Sequence, residues 1–194
     1  MKIRTKVTIG LLSSAMCVVA LAHAAGYEKV DGNENEVITF ETSAMKGTVD
    51  IKGHVKLNRG KMEGSDLVLK AELFKLVFNE DPKDQEMDRM GKMRFDHAKN
   101  ELDFKKFPMV QLKVPKADTL ALGANTGKGF FSLHGVTKPV KFTYKAKPEG
   151  GQIQVDGEFT LKLSDYGIKE ICKGDTVCVK DEVLVKAAFK LKKS

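Results

Sequence analysis

Along most of this chain apolar residues fall on every second position, and short polar turns separate one such stretch from the next. A period of two sends one face of a segment to a core and the other to water, as in a half-buried antiparallel strand. The pattern covers residues 37–42, where Ile38, Phe40 and Thr42 share a face, and 48–58, with Val49, Ile51, Gly53, Val55 and Leu57 on one side. It continues in 66–76 through Leu67, Leu69, Ala71 and Leu73, in 109–114, in 128–134, and in 140–147 through Val140, Phe142, Tyr144 and Ala146. Two long stretches finish it, 152–163 (Val155, Phe159, Leu161) and 183–191 (Val183, Val185, Phe189). Phe74 and Leu76 break the alternation, which predicts a bulge or change of face near Leu73. Eight strands with short connections and one apolar face each must bury those faces together. An all-β fold follows, and eight is the strand number at which a closed antiparallel barrel can hold one small ligand.

One region departs from this period. Between the turn Asn79-Glu80-Asp81-Pro82 and Phe95, Met87, Met90 and Met93 recur at spacings of three. They predict a single short helix over 83–95, with Gly91 interrupting it. A methionine stripe at helical spacing is ordinarily core packing, although methionine's flexibility also suits a lid over an apolar guest.

The N-terminus reads as an export signal. Lys2, Arg4 and Lys6 precede an uncharged run from Val7 to Ala22, and Ala22-His23-Ala24 supplies a small-x-small cleavage site. An uncleaved anchor is the competing reading, but Gly10, Ser13 and Ser14 weaken a run already short for a span. Cys17 sits mid-run behind Met16, which disfavours a lipoprotein. The expected organisation is therefore a cleaved segment 1–24 and one β-domain over 25–194, in the periplasm or another exported location. Cleavage removes three of the 33 Lys and Arg and none of the 26 Asp and Glu, so the net charge falls from +7 to +4. The remaining lysines alternate singly along strand faces, with no arginine cluster or aromatic platform, which argues against nucleic acid as a partner. Two cysteines stay behind, Cys172 and Cys178. In an oxidising compartment their default is a structural disulfide; metal binding lacks nearby histidines, and a redox pair is usually spaced more tightly.

Several short motifs carry a resemblance. Leu133-His134-Gly135-Val136-Thr137-Lys138-Pro139-Val140 resembles the signature hairpin of the YceI-like family, lipocalin-like barrels that hold isoprenoids or other long-chain lipids, many of them periplasmic. In the same order as in that family, Tyr27 to Asp31 with Val37 to Phe40 is similar to its first strand, and Lys46-Gly47 with Gly53 and Val55 to its second. Lys106-Phe107-Pro108 resembles the lead into its middle strand, Ser164-Asp165-Tyr166-Gly167-Ile168 its late turn, and Asp181-Glu182-Val183 the start of its last strand. The likeness spans essentially all of 25–194 and implies a lipid-binding, non-enzymatic barrel.

The chain offers no catalytic or metal-binding constellation to set against that expectation. His54 alternates onto a lysine-rich outer face, His97 lies beside Asp96 in the irregular segment, and His134 occupies the hairpin turn. No H-E-x-x-H, G-x-S-x-G or close histidine pair occurs, and Gly123 to Gly127 is a hairpin or loop tip that no helix follows. No cofactor is implied beyond a bound lipid or isoprenoid. A guest of 30 to 40 carbons would gain on the order of 10 kcal/mol from burial alone. Strand parity names the candidate wall: Phe40, Leu69, Leu73, Phe130, Phe142, Tyr144, Val155, Phe159, Leu161 and Phe189, with Met87, Met90 and Met93 at the mouth. The expected function is non-covalent storage or transfer of a polyisoprenoid, quinone or fatty-acid-type lipid, with a membrane as donor or acceptor. Two rivals are an interaction protein with a filled core and an enzyme working on a lipid head through His97 or His134. Oligomeric state is left open, a dimer included.

Overall fold

The computed structural model describes residues 27–29, 36–44, 49–79, 86–117, 120–169, 171–173 and 177–193; the expected signal, 1–24, lies outside them. Among these residues eleven strands form: β1 (Tyr27–Lys29), β2 (Val37–Ala44), β3 (Val49–Glu63), β4 (Asp66–Glu72), β5 (Met109–Val114), β6 (Gly123–Leu133), β7 (Val136–Glu149), β8 (Gln152–Lys162), β9 (Cys172–Lys173), β10 (Val177–Cys178) and β11 (Glu182–Lys193). All pairings are antiparallel, in the order β11-β2-β3-β4-β5-β6-β7-β8. Pairing of β8 with β11 then closes the ring into an eight-stranded barrel, and β1 adds to the end of β11. β9 and β10 form a separate small hairpin stapled by the Cys172–Cys178 disulfide.

The alternation seen in the sequence becomes the inside of this barrel. Ile38, Val55, Leu69, Leu112, Phe131, Val155, Val185 and Phe189 are all buried. Near Leu73 the regular strand gives way to a 3-10 turn, Leu73–Lys75, after which Val77 pairs with His54 through both backbone bonds. His54 is buried rather than solvated. β6 begins earlier than its parity suggests. Of the two readings for Gly123 to Gly127 the hairpin holds: the segment is paired strand of the β6–β7 hairpin, and Gly127 leaves the space that the Phe142 ring fills.

The helix α1 (Arg89–Glu101) also lies further along the chain than the methionine spacing implies. Its start is fixed by Asp88, whose carboxylate accepts the Gly91 N–H at 2.6 Å, so Met87 precedes the helix instead of belonging to it. Gly91 does not interrupt α1 but lets it dock. A Cβ there would stand 2.4 Å from the Phe78 carbonyl oxygen. On the same side, Phe104 is fully buried between Phe95 and Phe74, with ring centroids at 6.0 and 5.7 Å. Edge-to-face contacts of this kind attach the helix to the barrel end.

A second junction ties the turns at that end. His134 and Gly135 both take positive φ, the conformation of a tight two-residue hairpin loop. The His134 Nδ1 lies 3.2 Å from the Tyr166 carbonyl oxygen, and its ring meets Phe107 edge-on at 4.6 Å. Ser164 gives its N–H and its hydroxyl to the two Asp181 carboxylate oxygens at 2.7 and 2.6 Å. The hydroxyl first, and the N–H second, hold that carboxyl below its ordinary 3.8. Burial, with Asp165 adding to it, pushes the Tyr166 phenol up to about 12.

Two outcomes follow from these contacts. Gly91→Ala should cost about 1–3 kcal/mol in urea unfolding, because the added methyl would collide with the backbone carbonyl of Phe78, which has no side-chain freedom to give way. The junction should also shape stability at both extremes of pH. Asp181's contribution is complete above its unfolded value and is lost as pH falls through the lowered folded value, so Asp181→Asn should flatten the limb below about pH 4. Solvent screening keeps that amplitude under about 1 kcal/mol. Tyr166's contribution is complete below its unfolded value of 10.0 and is lost as pH rises through about 12, so Tyr166→Phe should flatten the alkaline limb over that range.

Candidate functional site

The barrel interior is divided along its length. Large side chains fill most of it. Phe131 packs against Phe159 and Tyr166 with centroids at 5.2 and 6.0 Å, and Leu69, Val155, Phe189 and Leu191 are buried in the same core. At the end under α1 and the stapled hairpin, a cavity of about 310 Å³ remains. Phe40, Thr42 and Ala44 of β2 and Val49 and Ile51 of β3 form one side of it. Leu73, Leu76 and Phe78 form another, and Leu133, Leu161, Leu163 and Val183 bring in the ends of β6, β8 and β11. Ile171, Cys172 and Val179 of the hairpin segment close a further edge.

Helix α1 supplies the remaining wall through Met90, Met93, Arg94, His97, Ala98 and Leu102. Spacings of three and four put Met90, Met93, Arg94 and His97 on one helical face. Met90 is half exposed, so it stands at the opening. The Thr42 hydroxyl, the one polar group that the strands turn to this space, donates to the Glu182 carbonyl at 2.9 Å.

Of the residues proposed from parity, Phe40, Leu73, Leu161, Met90 and Met93 line the cavity. The others do not, for two reasons. Leu69, Val155, Phe159 and Phe189 point inward as their alternation requires but are packed in the core and do not reach the cavity. Phe142 covers Gly127, and Tyr144 accepts the Ala121 N–H through its hydroxyl at 3.3 Å, both away from the cavity. Met87 packs beside Gly91 ahead of the helix. Phe130 is a correction of face: it pairs with Pro139 on the outside and is 45% exposed, while its neighbour Phe131 points in. Val183 was within reach of parity reasoning; Leu76 and Phe78, which lie beyond the break at Leu73, were not. Nor was position along the barrel, because it depends on how the strands stagger when the ring closes.

His97 reaches the cavity from within the helix, not from an irregular segment, whereas His134 is engaged by Tyr166 and Phe107. Among the described residues no group of three His, Cys, Asp or Glu stands close enough to hold a metal ion. No described helix is long and apolar enough to cross a membrane.

Comparison with known proteins agrees with this architecture. No curated protein matches the sequence. Among solved structures, Burkholderia cenocepacia BcnA superposes with a TM-score of 0.56 at 18% identity, covering 79% of this chain and 94% of that one. A Campylobacter jejuni YceI protein gives 0.43 at 13% identity, over 63% and 71% of the two chains. At 18% identity the likeness to BcnA speaks for the fold. The family model for the YceI-like domain matches residues 22–191, nearly the whole barrel, and the chain therefore belongs to the YceI-like family.

Proposed function

We propose that this protein is an exported carrier that holds the apolar part of an amphiphilic lipid, non-covalently, in the cavity beneath α1. The observation that carries this reading is the lining: almost entirely aliphatic, aromatic and methionine side chains, with the Thr42 hydroxyl committed to a carbonyl, the disulfide-bonded Cys172, and Arg94 and His97 as its two ionisable groups. Such a surface gains by excluding water from a hydrocarbon and offers little else. Export is supported by the signal-like segment 1–24 and by the disulfide, a bond suited to an oxidising compartment. A membrane is the natural donor or acceptor of such a guest.

The geometry also limits the guest. At about 310 Å³ the cavity is at the lower end of small-molecule sites, which run from about 300 to 1,000 Å³. It suits one short acyl or prenyl segment. A lipid of 30 to 40 carbons would keep most of its length outside the barrel or would have to displace α1. The rival with a solid core accounts for the packed core around Phe131 but not for the open cavity.

Native mass spectrometry with organic extraction, on protein taken from the exported fraction of its source, tests the proposal. A stoichiometric lipid mass is expected, and Phe40→Asp should lower occupancy at least about tenfold by placing a charge in the apolar wall. Phe130→Asp, on the outer face, should leave occupancy unchanged. Circular dichroism on both variants separates lost binding from lost folding. A protein that stays empty when offered fatty acids and isoprenoids would refute the carrier reading.

A further inference from the structure

Resting on the carrier reading, we infer that the cavity selects for an anionic head, a carboxylate or a phosphate ester, which Arg94 receives at the mouth with His97 beside it. Three observations meet here. The first is placement: Arg94 is half-buried and His97 exposed, one turn apart on α1, on the same face as Met90 and Met93 and against apolar wall on every other side. A head drawn in with its tail therefore has these two side chains to meet, since the Thr42 hydroxyl is already committed to a backbone carbonyl.

The second is availability. Among the described residues no ion pair or hydrogen bond engages Arg94 or His97, whereas other cations of the barrel, such as Lys113 and Lys186, are paired with Asp66 and Glu41 at 2.9 and 2.8 Å. The third is the surrounding field. α1 carries four basic side chains, Arg89, Lys92, Arg94 and Lys99, against the acidic Asp96 and Glu101. Asp96 shares an outer groove with Arg89, Lys92 and His97, so its charge is opposed there by two cations.

The chemistry favours one class of head. A guanidinium offers a planar fork of donors that matches a carboxylate or phosphate with two parallel bonds, and partial burial strengthens such charge-assisted bonds. A neutral head gains one ordinary hydrogen bond at most, and a cationic head is repelled. Among lipids of equal tail, acids and phosphate esters should therefore bind ahead of alcohols, amides and quinone-like groups.

Titration calorimetry with four twelve-carbon probes below their micellar concentrations tests this: dodecanoate, dodecyl phosphate, dodecanol and dodecyltrimethylammonium. The two anions should bind on the order of tenfold more tightly than dodecanol, equivalent to about 1.4 kcal/mol, and the cation most weakly. The carboxylate and phosphate arms show which head is preferred. Arg94→Gln should bring the anions down to the dodecanol level measured on that variant, while Arg94→Lys keeps part of the preference. Arg89→Gln, outside the cavity lining, should lower the preference far less than Arg94→Gln. Equal binding of all four probes, or an equal loss in Arg89→Gln and Arg94→Gln, would overturn the head assignment and leave the carrier reading standing. Failure of every probe to bind would remove the carrier reading itself.

Discussion

Closure of the sheet is the constraint on which the rest of the structure depends. β8 and β11 pair over eleven positions, from Lys162 opposite Glu182 to Gln152 opposite Lys192, and this seam turns an open sheet into a ring. An open sheet would expose unpaired N–H and C=O groups along its edges; closure satisfies them. It also sends every second side chain of eight strands into one enclosed volume, so the size of each inward residue decides whether that volume is full or empty. Where Phe131, Phe159, Phe189 and Leu69 point in, it is full. Toward the ends of β2, β3, β8 and β11 the inward residues are Thr42, Ala44, Val49, Ile51, Leu161 and Val183. No phenyl ring occupies those positions, and the space persists.

The motifs that resemble the YceI-like family find a physical account at the junction beside the cavity. Phe107 comes from the lead into β5, His134 and Gly135 from the β6–β7 turn, and Tyr166 from the segment after β8. All three converge within contact distance. A Cβ on Gly135 would stand 2.5 Å from the Phe107 ring, and the residue has φ +74, so space and backbone both favour glycine there. Asp181, just ahead of β11, is held by Ser164. Stretches far apart in sequence thus fix the turns at the end of the barrel that carries the cavity, and none of these side chains lines the cavity itself. Their residue types follow from architecture, not from contact with a guest.

How much of this is legible in the sequence depends on the kind of information each feature requires. Strand faces need only local alternation, and all the ring strands but β6 can be read that way, including the irregularity at Leu73. Phe130 shows where parity alone fails: two adjacent phenylalanines offer both faces equally, and only pairing with β7 puts Phe131 inside. The limits of α1 turn on Asp88 capping the Gly91 N–H and on the close approach to Phe78, which the methionine spacing does not encode. Depth along the barrel is the least legible quantity. Leu69 and Leu161 have the same parity and chemistry, yet one is packed in the filled core and the other faces the cavity, because the stagger of the closed ring sets their heights.

An apolar space of this size is energetically conspicuous. At roughly 24 cal/mol per Å³, an enclosed void of about 310 Å³ would cost about 7 kcal/mol relative to a filled core. That is comparable with the whole stability of a typical domain, about 5–15 kcal/mol. The opening at Met90 makes the figure a ceiling, since water or a guest can enter. The remaining deficit still has to be met elsewhere. The closed ladder, the aromatic part of the interior and the junction at Tyr166 are the parts of the structure able to meet it. The filled part thus supplies the rigidity that allows the rest to stay open. A bound hydrocarbon would restore the missing contacts, so affinity for a guest and stability of the barrel draw on the same surface.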